Sequence, residues 1–324
     1  MEVVKKKIWL IGTGPMGQEY VNVLNDLDVE YLVIGRGQES ANRFYEKTGV
    51  MPISGGLEIF LTSNPNKCSH AIVAVGVEAL AQTTMDLLNY GIENILVEKP
   101  AGLNMVEIEK VVQLTAEKQS NVFVAYNRRF YASVIKAKEI IELDGGVTSF
   151  NFEFTEWAHT IEPLKKAAGV KENWFLANST HVVDLAFYLG GKPKRMSTYI
   201  TGGLSWHPSA SIFTGAGVSE NGVLFSYQAN WESAGRWSVE MLTKEHRLIL
   251  RPLEKLQIQK RGSVKVDLVE GIDYTLDEKY KPGLYLEVFN FIDNSFDILL
   301  SLENHSKNLK VYSAMLINEN YGFL

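Results

Sequence analysis

The sequence has little of the features that mark membrane, secreted or nucleic-acid-binding proteins. It contains one cysteine, Cys68, so no disulfide can form within the chain, which is typical of a reducing compartment. It has no apolar run of the roughly 20 residues that a transmembrane helix needs, and its first apolar stretch is too short for a signal peptide. It also lacks a basic surplus, since the formal net charge is −6, whereas nucleic acid or an anionic membrane requires a basic face. We therefore expect a cytoplasmic protein that binds neither nucleic acid nor membrane.

The length and the composition indicate a globular protein of two domains. The chain has 324 residues, which is more than one hydrophobic core usually serves. In the first 125 residues, short apolar runs alternate with segments of helical periodicity. The predicted strands are Ile8–Ile11, Tyr31–Ile34, Ala71–Val75, Asn94–Val97 and Val122–Ala125. This alternation predicts an α/β domain over residues 1–125, with a doubly wound parallel sheet covered by helices on both faces.

A glycine-rich turn joins the first predicted strand to the first predicted helix. The turn is Gly12-Thr13-Gly14-Pro15-Met16-Gly17, which has the pattern G-x-G-x-x-G. In this context Gly12 permits a tight turn, Gly14 lets a pyrophosphate approach the backbone, and Gly17 lets the helix pack closely on the strand. The N-terminus of the helix then faces the phosphates. We predict that the residues of this turn bind a dinucleotide cofactor.

The second predicted strand lacks the acidic residue that would bind the adenosine ribose of NAD. It ends at Gly35-Arg36-Gly37, and Arg36 stands about where a ribose-binding residue belongs. A guanidinium at this place can pair with a 2′-phosphate or stack on adenine. The sequence therefore favours NADP(H) over NAD(H), with an exposed loop arginine as the alternative.

Further candidate residues follow the third, fourth and fifth predicted strands. Ligands bind parallel sheets at the carboxyl ends of the strands, so these residues share an edge with the glycine turn. We predict cofactor contacts at Val75, Gly76, Glu98 and Lys99. We predict substrate contacts at Lys99, Tyr126 and Asn127. The apolar run Ile95-Leu96-Val97 thus delivers Lys99 to the cofactor edge, and Pro100 ends the strand.

The rest of the chain is rich in predicted strands. A helix is expected from Ala132 to Leu143, and strand-like segments separated by glycine turns follow. These segments are 147–154, 194–200, 222–230, 237–242, 247–250 and 255–259. They predict a second α/β domain, residues 126–324, with a large open and mainly antiparallel sheet. The other face of that sheet could pair with a second subunit, so we expect a homodimer or a homotetramer.

One predicted helix in the second domain carries polar residues of chemical interest. Asn178, Ser179 and Thr180 are expected to cap it, and His181 and Asp184 share one of its faces because they are three residues apart. A capped helix with a satisfied polar residue is the simpler interpretation. A metal site is not expected, because two ligands at this spacing are too few and no other His/Cys cluster accompanies them.

Several of these segments together resemble the glucose-fructose oxidoreductase/inositol dehydrogenase/rhizopine catabolism (Gfo/Idh/MocA) family. The resemblance rests on the glycine turn, Glu98-Lys99-Pro100, Tyr126-Asn127-Arg128-Arg129-Phe130, and His181-x-x-Asp184 followed by Tyr188-Leu189-Gly190. It implies an N-terminal Rossmann domain and NAD(P)-dependent hydride transfer to or from a sugar, a cyclitol or an activated sugar such as a nucleotide-sugar. It also implies that Lys99 lies beside the reacting oxygen, that His181 exchanges the proton, and that Lys99–Pro100 is a cis peptide bond.

The residue types suit that chemistry. Removal of a hydride from an alcohol requires its proton to leave as well, and a histidine titrates in the useful range. A lysine cation stabilises a developing alkoxide. Glu98 is expected to organise the turn rather than to react.

The sequence departs from the family pattern at Ala177. The family often has an aspartate there, and Asn178, Asn173, Glu156 or Tyr126 are the alternatives that could supply a polar group. Asn178 is included among the predicted substrate contacts. The departure leaves two other hypotheses open: a catalytically silent NAD(P)-binding sensor or scaffold, and a reductase of a non-sugar substrate.

Overall fold

The structure is a computed structural model and describes residues 6–322. Its strands are β1 (Lys7–Ile11), β2 (Glu30–Ile34), β3 (His70–Val73), β4 (Asn94–Glu98), β5 (Asn121–Ala125), β6 (Ser149–Glu153), β7 (Pro193–Thr201), β8 (Ile212–Ser219), β9 (Leu224–Asn230), β10 (Ser238–Leu242), β11 (His246–Leu250), β12 (Gln257–Lys260), β13 (Val266–Leu268), β14 (Leu300–Ser301) and β15 (Asn320–Tyr321). Its α-helices are α1 (Pro15–Asp26), α2 (Gln38–Thr48), α3 (Gly56–Thr62), α4 (Leu80–Tyr90), α5 (Met105–Lys118), α6 (Ala132–Leu143), α7 (Ala158–Ile161), α8 (Thr180–Gly190), α9 (Thr275–Lys279), α10 (Leu284–Asp293) and α11 (Leu302–Ala314).

The chain folds into two compact units. Unit 1 comprises the residues up to Tyr126 together with Lys279–Lys307, and unit 2 comprises Asn127–Glu278 together with the residues from Asn308 onward. The sequence prediction put all of residues 126–324 into the second domain, whereas the segment Lys279–Lys307 contributes α10 and β14 to unit 1. The amphipathic pattern of α10 shows which face is buried but not which sheet buries it.

Unit 1 is built on a six-stranded sheet in the order β14-β5-β4-β3-β1-β2. Strands β1 to β5 pair in parallel, and only the short β14 runs antiparallel, along β5. The apolar runs are fully buried, as Leu10, Ile72 and Leu96 show. The predicted α/β fold of this part of the chain is therefore confirmed.

Two helices between β2 and β3 have no counterpart in the sequence prediction. Only Ala41 and Phe44 of α2 are buried, so its apolar stripe is too narrow to stand out. Helix α3 is short and begins at two glycines with positive φ, Gly55 and Gly56. Weak periodicity and short length explain why both were missed.

Unit 2 is built on a nine-stranded sheet in the order β13-β12-β11-β10-β6-β9-β8-β7-β15. All neighbours pair antiparallel except β6 and β9. One face carries an aromatic core that includes Phe152 and Tyr227, and α8 packs against β6 and β10. The predicted large and mainly antiparallel sheet is confirmed.

Strand β8 was not predicted, and its glycines explain why. An added Cβ at Gly215 would lie 2.5 Å from the Tyr227 ring, and one at Gly217 would lie 2.7 Å from the Phe225 ring. Glycine in a strand leaves room for large neighbours on the next strand. In the sequence alone, the same glycines look like turn signals.

No helix within residues 6–322 is both long enough and apolar enough to cross a membrane.

Candidate active site

The glycine turn of unit 1 has the geometry that its sequence pattern predicts. Gly12 has a φ of 126°, and an added Cβ there would lie 2.3 Å from the Ala74 carbonyl oxygen. An added Cβ at Gly17 would lie 2.2 Å from the Gly12 carbonyl oxygen, so α1 can pack this close only with glycine. At Gly14 an added Cβ would meet no atom within 4 Å. The backbone at Gly14 therefore faces open space, and a pyrophosphate can approach it.

Most of the predicted cofactor residues line one cavity in unit 1, of about 710 Å³. Its lining includes Gly12, Thr13, Gly14, Pro15, Met16, Arg36, Val75 and Gly76. This volume is in the range of small-molecule and cofactor sites. Gly17 lies beneath the turn, and Glu98 and Lys99 are not part of the lining.

The same cavity is lined by basic side chains that the sequence analysis did not name. Arg43 and Lys47 line it together with Arg36. Arg43 forms an ion pair with Glu39 at 2.7 Å, whereas the Arg36 side chain forms no hydrogen bond or ion pair with any residue from 6 to 322. Arg43 and Lys47 are four apart on α2, so they share a helix face. The four-residue spacing of these two basic residues was the signal in the sequence that could have identified them as a pair on one side of a helix.

A tight turn at the end of β4 presents Lys99. The Ala101 N–H donates to the Glu98 carbonyl oxygen at 3.0 Å, and the Lys99–Pro100 peptide bond is cis, as the resemblance implied. The Pro100 carbonyl oxygen lies 3.1 Å from Nε2 of the buried His305. The turn is thus bonded on both sides of the lysine.

Glu98 is held by a tyrosine from α1. The Tyr20 hydroxyl donates to Glu98 Oε1 at 2.8 Å. Burial raises the pKa of the Glu98 carboxyl, and the Tyr20 hydrogen bond and the charges of Lys99 and Lys281 oppose that rise. Burial and the nearby Glu98 raise the pKa of the Tyr20 hydroxyl well above its usual value. Tyr20 was missed because it reads as a core residue of an amphipathic helix.

The residues that were expected to cap α8 do not cap it. A π-helical turn, Phe175–Ser179, runs directly into α8, and no side chain caps its N-terminus. Asn178 Nδ2 and Ser179 Oγ each donate instead to Glu156 Oε1 at 2.8 Å. Thr180 Oγ1 donates back to the Leu176 carbonyl oxygen at 2.9 Å. The prediction was wrong because the local pattern does not show that a distant buried carboxylate competes for these donors.

Glu156 is the centre of that polar network in unit 2. It is 1% exposed, and its second oxygen accepts from Arg236 at 2.9 Å. Burial raises the pKa of Glu156, and the charge of Arg236 and the donors Ser179 and Asn178 oppose the rise. Ala177, next to this network, is itself buried.

His181 and Asp184 have different surroundings within unit 2. His181 is 6% exposed, and its ring centroid lies 6.1 Å from that of Trp237. Asp184 accepts from Arg129 Nε at 2.7 Å and from the terminal nitrogen of Arg129 at 2.6 Å. Asp184 is thus committed to a bidentate ion pair with Arg129.

The remaining predicted substrate residues lie at the end of β5. Tyr126 is 1% exposed, and its ring centroid lies 5.5 Å from that of His305. Asn127, the first residue of unit 2, is also buried. Within residues 6–322, no group of three or more His, Cys, Asp or Glu side chains is arranged to hold a metal ion.

Residues 6–126 match the sequence model of an oxidoreductase family with an NAD-binding Rossmann fold, Gfo/Idh/MocA. A comparison with curated proteins finds no match. Among solved structures, levoglucosan dehydrogenase in complex with NADH is similar at 17% identity, with 96% of each chain covered and a TM-score of 0.75. The WlbA dehydrogenase from Chromobacterium violaceum, in complex with NADH and UDP-GlcNAcA, is 17% identical, with 97% of this chain and 94% of that chain covered and a TM-score of 0.72. UDP-N-acetylglucosamine 3-dehydrogenase GnnA from Acidithiobacillus ferrooxidans is 12% identical, with 96% of each chain covered and a TM-score of 0.72.

At such identities the solved structures show a shared fold. The matched residues include the glycine turn, β4 and Lys99, and the matching model describes an NAD-binding Rossmann fold. Residues 6–126 thus resemble the NAD-binding Rossmann domain of the Gfo/Idh/MocA oxidoreductases, and unit 1 has that fold.

Proposed function

We propose that this protein transfers a hydride between a nicotinamide cofactor, with NADP(H) preferred, and a hydroxyl or carbonyl carbon of a sugar, a cyclitol or an activated sugar. The observation that carries the proposal is the cavity of unit 1, which is lined both by the approachable Gly14 and by Arg36. Lys99 directly follows β4 of the same parallel sheet. The sugar class is supported by the proteins that share the fold, which bind or oxidise levoglucosan or UDP-sugars.

Each proposed residue has one task. Lys99 presents a cation to the substrate oxygen and stabilises negative charge that develops there. His181 takes up or returns the hydroxyl proton. Glu98, held by Tyr20, positions the turn that carries Lys99. The nicotinamide, when bound, supplies or accepts the hydride.

The catalytic role of Lys99 is tested by a substitution that removes its charge. We expect Lys99→Met to lower turnover about 10²-fold or more, because the substrate oxygen would lose its cation, and to leave cofactor affinity nearly unchanged. The matched control is Lys110→Met, at an exposed position of α5 in the same unit. The assay follows absorbance of the reduced nicotinamide with a panel of sugars and nucleotide-sugars and with both cofactors.

Two outcomes of that assay would contradict the proposal. Full activity of Lys99→Met would show that Lys99 takes no part in the reaction. Tight cofactor binding by the wild-type protein without turnover of any panel member would favour the sensor hypothesis instead.

The preference for NADP(H) is proposed from the unpaired Arg36. We expect Arg36→Ala to weaken NADPH binding about tenfold or more, because a charge-assisted bond to the 2′-phosphate is lost, and to change NADH binding little. Arg43→Ala should have a smaller effect, because Glu39 already pairs with Arg43. Fluorescence titration with both cofactors measures this, and tighter binding of NADH than NADPH by the wild-type protein would refute the preference.

We propose further that the protein is a cytoplasmic homodimer or homotetramer formed through the sheet of unit 2. Support comes from large side chains on exposed positions of that sheet, Tyr199 at 65% and Leu224 at 64% exposure. Leu224→Glu should shift the protein towards the monomer in sedimentation analysis. A wild-type protein that is monomeric at micromolar concentration would exclude this assembly.

A further inference from the structure

Two guanidinium groups of unit 2 stack on the same tryptophan. The guanidinium carbons of Arg128 and Arg236 lie 4.7 Å and 4.4 Å from the ring centroid of Trp237. Arg236 also lies 4.9 Å from the ring centroid of Trp157. Planar guanidinium groups stack favourably on indole rings. The Trp237 ring also neighbours His181, the residue proposed to exchange the proton, so one tryptophan contacts both the two cations and that histidine.

The carboxylates of this region are already committed to other cations. Asp184 forms the bidentate pair with Arg129. Glu156 forms the ion pair with Arg236, and Asn178 and Ser179 occupy its other oxygen. Both carboxylates therefore have their acceptor oxygens filled by donors of unit 2.

Arg128 differs from Arg129 and Arg236 because it forms no ion pair with a carboxylate of residues 6–322. Within residues 6–322, no acidic side chain lies within ion-pair distance of Arg128, and its buried Nε has no hydrogen-bond partner. Burial lowers the pKa of Arg128, and the electrostatic effects of Tyr131, Glu254 and Glu156 only partly oppose this. Three guanidinium groups thus share two carboxylates, and the surplus positive charge is at Arg128. A desolvated cation without an anion is unfavourable on its own and is compensated when an anion binds.

We propose that Arg128 binds an oxyanion of the substrate, so that the substrate is an acidic sugar that carries a carboxylate or a phosphate group. The inference rests on the proposed function and narrows its substrate class. A guanidinium matches the geometry of both groups through two parallel hydrogen bonds. The contact with the Trp237 ring restrains the guanidinium, so little side-chain freedom is lost on binding.

The experiment measures binding and needs no turnover. The full-length protein is titrated with D-glucuronate, D-glucose 1-phosphate and D-glucose at one ionic strength, and tryptophan fluorescence or heat is recorded. We expect at least one acidic probe to bind about tenfold or more tightly than D-glucose. Preference for D-glucuronate would identify a carboxylate and preference for the phosphate would identify a phosphoryl group, and either result supports the proposal.

Substitutions of Arg128 test whether this residue causes the preference for the acidic probe. Arg128→Gln should abolish the preference for the acidic probe, whereas Arg128→Lys should keep part of it. The control is Arg247→Gln, which removes another guanidinium of unit 2, but one that is already paired with Glu240. Equal binding of acidic and neutral probes by the wild-type protein, or an undiminished preference in Arg128→Gln, would overturn the proposal. If Arg128→Gln does not fold, the wild-type comparison and Arg128→Lys decide.

The outcome separates this inference from the proposed function. A protein that oxidises only neutral sugars would retain the dehydrogenase function and lose the oxyanion site. A protein that turns over no sugar but keeps an Arg128-dependent preference for acidic probes would retain the site and lose the dehydrogenase function.

Discussion

Two carboxylates near the ends of strands, Glu98 and Glu156, accept hydrogen bonds from side chains of another segment. Glu98 at the end of β4 depends on Tyr20 of α1. Glu156 after β6 depends on Asn178 and Ser179 of the π-helical turn. Lys99 and His181 could be named from the sequence because they belong to short motifs. Their supporting donors could not, since tyrosine, asparagine and serine occur at such positions for many reasons.

The support of the Lys99 turn by Tyr20 leads to a prediction. Tyr20→Phe keeps the ring and removes the hydrogen bond to Glu98. We expect it to lower the free energy of unfolding by about 1–2 kcal/mol, because a partly buried carboxylate loses a donor. The pKa of Glu98 should rise further, because Tyr20 is one of the groups that oppose the effect of burial. Denaturant unfolding and the pH profile of turnover measure the two effects.

The control for this substitution is Tyr31→Phe. The Tyr31 hydroxyl donates to Asn25 at 2.5 Å in an exposed position, where water can replace the bond, so we expect little change. Equal losses in both variants would show that Tyr20 has no special role in holding the turn.

At the scale of secondary-structure elements, substitutions of two glycines in the same turn are expected to differ in effect. A substitution at Gly14 should affect cofactor binding alone, and one at Gly12 should affect folding as well. Gly14→Ala should leave the free energy of unfolding within about 0.5 kcal/mol of wild type, because the added methyl group meets no atom within 4 Å. It should weaken cofactor binding about tenfold or more, since the methyl group occupies the space that the pyrophosphate approaches. Cofactor titration together with denaturant unfolding tests both parts.

Gly12→Ala is the matched comparison on the same turn. Its methyl group would lie 2.3 Å from a backbone oxygen at a φ of 126°, so we expect it to lose stability as well as binding. Undiminished cofactor affinity in Gly14→Ala would place the pyrophosphate elsewhere.

The motif His181-x-x-Asp184 on helix α8 contains one residue, Asp184, that forms an ion pair with Arg129. Asp184→Asn should lower the free energy of unfolding by about 3–5 kcal/mol, because it leaves the Arg129 guanidinium buried without its carboxylate. Glu303→Gln, which breaks the exposed pair with Lys307, should change stability little. Denaturant midpoints measure both, and a stable Asp184→Asn protein that has lost only activity would make Asp184 a catalytic group instead.

The two units share a pH dependence at the scale of the whole molecule. Burial lowers the pKa of His70 in unit 1 and that of His207 in unit 2. The unfolded chain therefore takes up protons below about pH 6.5, where the folded protein keeps these rings neutral. Their contribution to stability is complete above that pH and is lost as the pH falls towards the lowered folded pKa.

This pH dependence can be tested with single variants. His70→Gln should reduce the loss of stability between pH 7.5 and pH 5, an interval of about one to two pH units on either side of the ordinary histidine pKa. His159→Gln, at an exposed position, should leave the dependence unchanged. Urea midpoints across this interval provide the measurement, and an unchanged slope in His70→Gln would exclude a contribution from that ring.

The sequence by itself determined the features of this protein that depend on neighbouring residues. The glycine turn after β1, the parallel α/β order and the arrival of Lys99 at the end of β4 all follow from local spacing, because periodicity and backbone freedom act over a few residues. Only the tertiary structure decided which distant groups meet. The return of Lys279–Lys307 to unit 1 and the hydrogen bonds from Asn178 and Ser179 to Glu156 depend on contacts between segments far apart in the chain. So does the absence, among residues 6–322, of a carboxylate paired with Arg128. Burial makes such pairings decisive, since a buried charge or donor must find its partner wherever the fold brings one near.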